Sequence, residues 1–174
     1  VLLADGFEEI EALTVVDLLR RAKVYVDTVS ITDDYTVRGA HGIPVQTEDL
    51  ITEIDFKESD MIVLPGGMPG TTNLKEDENV RKAVQEAYDD GRYVAAICAA
   101  PTILADMGLL KGKRATCYPD MESEIEDAYL TGAPVATDEN IITSQGVGTA
   151  IDFALKLIEV LISEEKAVEI ADSI

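Results

Sequence analysis

The chain has 174 residues, 14 Lys and Arg against 34 Asp and Glu, a formal net charge of −20, one His and two Cys. That length fits one domain with a closed core, expected here over residues 1–174. The charge excludes a nucleic-acid backbone or an anionic membrane as the main partner, and the Cys and His counts exclude a disulfide framework, a His-rich metal site and a Cys₄ zinc site.

In chain order, Val1–Ala4 reads as a buried strand already under way, so a few residues are expected upstream. Helical periodicity runs from Glu8 to Ala22, and an apolar strand pattern from Val24 to Ile31. Thr32–Asp49 carries turn signals and short polar–apolar alternation, which predicts a hairpin bearing the sole His41 at the surface or an interface. Strand patterns follow at Met61–Leu64, Tyr93–Ile97, Arg114–Cys117 and Ile141–Ser144, and helical ones at Val80–Asp89, Ala99–Met107, Gly148–Ile162 and Glu164–Ala171. Strands alternating with helices predict an α/β fold, a doubly wound and mostly parallel sheet sandwiched by helices. No apolar run reaches the roughly 18–20 residues that span a bilayer, and no signal-peptide pattern is visible, so the cytosol is the expected location.

The first helix carries an anomaly. At about 100° per residue, Glu11 falls between Leu18 and Ala22 on the apolar arc, whereas Glu9, Asp17, Arg20 and Arg21 fall opposite. Acids in a first helical turn are ordinarily just dipole-favoured, which is the reading for Glu9. Glu11 is different: burial would raise its pKa, and a protonated carboxyl can donate a hydrogen bond. Ile10 and Leu13 on the polar side predict a subunit interface through this helix.

Cys98 sits between the strand Tyr93–Ile97 and the following helix, flanked by Ala96 and Ala100. This small-x-Cys-x-small pattern fits a strained nucleophile elbow, which would hold the sulfur at a helix N-terminus, where thiolate is favoured. Cys117, inside a strand pattern, reads as a small buried hydrophobe. After another strand, Pro65-Gly66-Gly67 permits close backbone approach, and an outward N–H there with that of Ala99 would make an oxyanion hole. No Lys-Ser/Thr follows the glycines, so a phosphate loop, and with it a flavin or nucleotide carrier, has no motif behind it. Gly146-Val147-Gly148-Thr149 reads as a plain strand-to-helix turn.

Four segments in register, Gly6–Glu11 with Val16–Ala22, Val63–Gly67, Ala95–Pro101 and Thr143–Thr149, resemble the DJ-1/ThiJ/PfpI superfamily over essentially the whole chain. The Gly-x-Glu-Glu-x-Glu opening, with Ala99 rather than His after the Cys, looks like the DJ-1-like branch. The resemblance implies a flavodoxin-like sandwich and a homodimer formed partly through the first helix. It implies a protonated Glu11 bonded to Cys98 and lowering the thiol pKa, with the N–H groups of Gly67 and Ala99 near the sulfur. By position it places Arg21 and Arg38 near the pocket across the dimer. Tyr118 stands where animal members carry a His, and Tyr, with a pKa of about 10, is the poorer proton shuttle. The implied function is reactive-carbonyl defence, as glutathione-independent glyoxalase or protein deglycase on a small reactive aldehyde or glycated substrate. The alternative is a non-enzymatic redox sensor or chaperone acting through Cys98 oxidation. A Cys peptidase or amidase would need a His base that neither Ala99 nor Tyr118 supplies. No metal and no cofactor are expected.

Overall fold

A computed structural model describes residues 1–174. The chain runs β1 (Leu2–Leu3), α1 (Glu9–Arg21), β2 (Val29–Ser30), β3 (Thr36–Arg38), β4 (Pro44–Gln46), β5 (Asp49–Leu50), β6 (Met61–Leu64), α2 (Gly70–Glu76), α3 (Glu78–Asp89), β7 (Tyr93–Ile97), α4 (Pro101–Asp106), β8 (Arg114–Ala115), β9 (Tyr129–Leu130), β10 (Val135–Asp138), β11 (Ile141–Ser144), α5 (Ala150–Leu161) and α6 (Glu164–Ala171). Parallel β1, β2 and β5 form one sheet, and β6, β7 and β11 form another in parallel, edged by antiparallel β10. β1 lies against β6, so the two sheets adjoin.

Side-chain alternation along the central strands splits the core into two layers. Ile62, Leu64, Val94 and Ala96 face one side, packed by Leu74 of α2, Val80 and Val84 of α3, and Ile103 and Leu104 of α4. Val63, Ala95 and Ile97 face the other, packed by Val15 and Leu18 of α1, Phe153 and Leu157 of α5, and Ile170 of α6. This is the period-2 pattern of a strand buried on both faces.

Register then fixes the site. Leu64 pairs with Ala96, and Ser144 pairs with Ile97. The chain therefore leaves β6 at Pro65-Gly66, β7 at Cys98 and β11 at Gln145-Gly146 on one carboxyl edge, where open α/β sheets build their sites.

Several expectations shift. The strand expected over Val24–Ile31 is hydrogen-bonded only at Val29–Ser30, and that over Arg114–Cys117 only at Arg114–Ala115. α4 begins at Pro101 rather than Ala99, because the elbow needs a turn first. No sequence pattern marks α2, β9 or β10. No helix is long and apolar enough to cross a membrane.

Candidate functional site

Cys98 holds φ +65°, in the left-handed region that a Cβ-bearing residue adopts only under constraint. Its N–H donates to the Ser144 carbonyl at 3.0 Å, and its carbonyl accepts from the Tyr118 N–H at 2.8 Å. Both neighbouring segments thus pin the elbow. The N–H groups of Ala99 and Gly67 act on the Cys98 sulfur and pull its pKa down. These are the two donors expected from the sequence.

Glu11 projects from the first turn of α1 and is fully buried. Its Oε2 accepts from the Gly66 N–H at 2.8 Å, while the Gly66 carbonyl accepts from the Glu8 N–H at 2.8 Å. Gly66 therefore ties the helix entry to the end of β6. A Cβ on Gly66 would lie 2.6 Å from Cys98 Cβ and 2.7 Å from Glu11 Oε2, so nothing larger than hydrogen fits. Glu11 Oε1 has no hydrogen-bond partner. The Glu11 carboxyl and the Cys98 thiol act on each other's proton affinity.

Burial pushes Glu11 up to about 7, with a smaller upward push from Glu8. The direction expected for Glu11 is therefore present. That for Cys98 is corrected: burial first, then the neighbouring Glu11, push the thiol up to about 12. The helix-end N–H groups oppose this without overcoming it. Two negative charges cannot share so dry a space, so the pair retains a proton through neutral pH.

Tyr118 is 44% exposed. Its ring and the Cys98 sulfur both border Gly146: a Cβ there would lie 3.6 Å from Tyr118 Cδ2 and 3.7 Å from Cys98 Sγ. Gly146 thus belongs to the site wall, although its sequence context reads as a plain turn. Arg21 bonds Asp17 at 2.8 Å in the last turn of α1, about 15 Å along the helix from Glu11. Arg38 turns its guanidinium to the Gly42 carbonyl at 2.9 Å. Neither guanidinium makes a hydrogen bond to a residue of the Cys98 site. Ile10 and Leu13 are exposed, at 52% and 37%. Cys117 is buried, and its thiol donates to the Tyr118 carbonyl at 3.3 Å.

Glu9 is not the solvated acid its helical position predicts; it is 5% exposed. The hairpin of β3 and β4 covers that side of α1. Glu9 Oε1 accepts from the backbone N–H groups of His41 (2.8 Å) and Ile43 (3.4 Å), and Oε2 lies 2.8 Å from His41 Nδ1. Burial alone would raise this carboxyl; the His41 ring and the N–H groups of Glu9 itself, His41 and Ile43 outweigh it and hold it below the usual range. The only His is thus engaged with Glu9.

A cavity of about 420 Å³ opens at the opposite end of the strands, lined by Val1, Leu19, Val24, Met61 and Val63 among others. It contains neither Cys98 nor Glu11.

The DJ-1/PfpI family model matches residues 1–160. Protein DJ-1 homolog B of Arabidopsis thaliana is 40% identical over 170 residues, 97% of this chain, which spans only 39% of that relative's length. The glutathione-independent glyoxalase DJ-1 of Schizosaccharomyces pombe is 33% identical over 94% of this chain and 90% of its own. The crystal structure of Drosophila melanogaster DJ-1beta superposes with a TM-score of 0.94 at 35% identity, covering 99% of this chain and 94% of that one. With Cys98 at a strained elbow against a buried Glu11, this chain belongs to the DJ-1/PfpI family.

Proposed function

We propose that this protein acts in reactive-carbonyl defence as a glutathione-independent glyoxalase, with protein deglycase activity on early glycation adducts as the related outcome of the same chemistry. The observation that carries it is the Cys98–Glu11 pair: an elbow thiol beside a carboxyl whose pKa is about 7. A group poised there gives and takes a proton at neutral pH.

The thiol proton passes to Glu11 as sulfur adds to the aldehyde carbon of an α-oxoaldehyde, and the new alkoxide takes that proton, leaving a hemithioacetal and a Glu11 carboxylate. The N–H groups of Gly67 and Ala99, which already favour negative charge on the sulfur, support the oxyanion during addition. Glu11 then removes the proton from the former aldehyde carbon and returns it to the adjacent carbon, while the hydroxyl proton of the hemithioacetal passes to the former ketone oxygen, so that the ketone becomes an alcohol and the hemithioacetal a thioester. Water cleaves the thioester, releasing the 2-hydroxy acid and the thiol. Tyr118 borders the pocket as a hydrogen-bond donor. The exposed Ile10 and Leu13 support a homodimer through α1, the arrangement that would bring Arg21 and Arg38 of a second copy toward the pocket.

The test is conversion of methylglyoxal to lactate without glutathione, wild type beside Cys98→Ser. Turnover lost in the variant is the expected result. Turnover kept in full would remove Cys98 from the mechanism. No turnover in either protein would favour redox sensing, in which the same N–H groups steady an oxidised sulfur. Intact-mass analysis after mild peroxide would then show two oxygens on Cys98, lost in Glu11→Leu.

A further inference from the structure

The Cys98–Glu11 chemistry leaves a second cluster of titratable groups unused. Glu8 and Glu9 come from the entry of α1, and His41 from the turn between β3 and β4. One ligand atom from each lies within 4.8 Å of the others. His41 Nδ1 is 2.8 Å from Glu9 Oε2 and 3.7 Å from Glu8 Oε2. A tetrahedral first-row divalent ion with bonds of about 2.0–2.2 Å keeps neighbouring ligand atoms about 3.3–3.6 Å apart. The two separations from His41 bracket that spacing, and the third pair lies within 4.8 Å, so shifts of about an ångström would close the three atoms on an ion.

Two further observations point the same way. The second oxygen of Glu9 is held by the N–H groups of His41 and Ile43, as outer-shell donors orient a ligating carboxylate. The Glu8 side chain is only 12% exposed, makes no capping hydrogen bond, and sits too far from His41 for a direct one. A carboxylate largely shielded from water and without a protein donor is partly desolvated, and a cation would offset that cost. Two carboxylates also outweigh the roughly half positive charge of the helix end nearby.

We propose that Glu8, Glu9 and His41 form a three-ligand site for a divalent cation of the zinc class. An imidazole beside two carboxylates favours such ions over calcium and magnesium, which take oxygen shells. The His41 side chain is 68% exposed, so the remaining coordination position opens to solvent. Binding displaces to solvent any proton on His41 Nδ1. The site stands apart from the glyoxalase reading and does not depend on it.

The experiment is competition for Zn²⁺ against a chromophoric chelator, in the wild type and in a Cys98→Ser background that removes the reactive sulfur as a rival ligand. One Zn²⁺ per chain is expected in both, not displaced by excess Ca²⁺ or Mg²⁺. His41→Gln keeps a donor toward Glu9 but loses the imidazole, and it should weaken binding by about tenfold or more, as should Glu8→Gln. Circular dichroism of the metal-free variants reports their fold. A measurement on the wild type alone guards against variants that fail to fold: Zn²⁺ should protect His41 from diethyl pyrocarbonate. Zn²⁺ bound only when Cys98 is present, affinity indifferent to both substitutions, or a His41 that stays reactive under saturating Zn²⁺ would each overturn the proposal.

Discussion

Glu9 and Glu11 stand two residues apart on one helical turn, both withdrawn from solvent, and their pKa values move in opposite directions. Glu9 faces the hairpin, where two backbone N–H groups and an imidazole meet it. Glu11 faces the sheet edge, where one N–H and a thiol meet it. Burial raises both; the number of donors decides which stays charged. One carboxyl stays charged and anchors the hairpin while the other is held near neutral titration, on the same turn of helix, because different segments deliver their partners.

The sharpest way to break this contrast is to remove each carboxyl in turn. Glu11→Leu keeps the apolar packing and should cut lactate formation by about 10²–10⁴-fold, the usual worth of a positioned acid–base group. Glu9→Gln should leave turnover per folded molecule within about threefold; an equal loss in both would erase the distinction. Next comes the pH dependence of stability. The folded pKa of Glu11 is raised from 4.5 to about 7. Its stabilising contribution is therefore full below about 4.5 and lost as pH rises through about 7, where the ionised buried carboxylate costs up to about 3 kcal/mol. Glu11→Gln should raise Tm by several degrees at pH 8 and hardly at all at pH 4, read by calorimetry.

The glycines packed against each acid sharpen the comparison further. Gly66→Ala drives a methyl between Cys98 and Glu11, and overpacking of this kind costs about 1–3 kcal/mol and should abolish turnover. Gly39→Ala places its methyl on the Glu9 carboxyl and should loosen the hairpin while sparing turnover per folded molecule. The smallest effect is the acid limb of Glu9. Its pKa is depressed, so its contribution is present above the unfolded value and lost as pH falls through the folded one. Glu9→Gln should lower stability by about 1 kcal/mol at pH 7, with the difference closing in acid.

Much of this was legible in the residues themselves. Met61–Leu64 and Tyr93–Ile97 end as strands where their apolar runs end, and Ile141–Ser144 ends two buried polar residues beyond its own, because each is buried on both faces. Glu11 and Cys98 were visible as misfits, a carboxyl on an apolar arc and a sulfur at a hinge. α2 was not visible: Gly-Thr-Thr-Asn-Leu-Lys-Glu offers one apolar anchor, Leu74, and no stripe. Glu9 was misplaced because a helical wheel sees only its own helix and not the hairpin that later covers it. The direction of the Cys98 pKa was hidden for a related reason, since desolvation belongs to the assembled sheet edge rather than to the elbow motif. The wall formed by Gly146 depends on the register of β11 against β7, which no local pattern encodes.

The positive φ at Cys98 has a consequence for how the family's sequences are free to drift. Glycine is the residue that adopts that conformation at least cost, so selection for stability alone would move position 98 toward glycine. A Cys at this position keeps that strain, and the pinning contacts from Ser144 and Tyr118 offset it. Mutational drift that weakens either contact therefore erodes the one conformation the thiol needs before it erodes the domain.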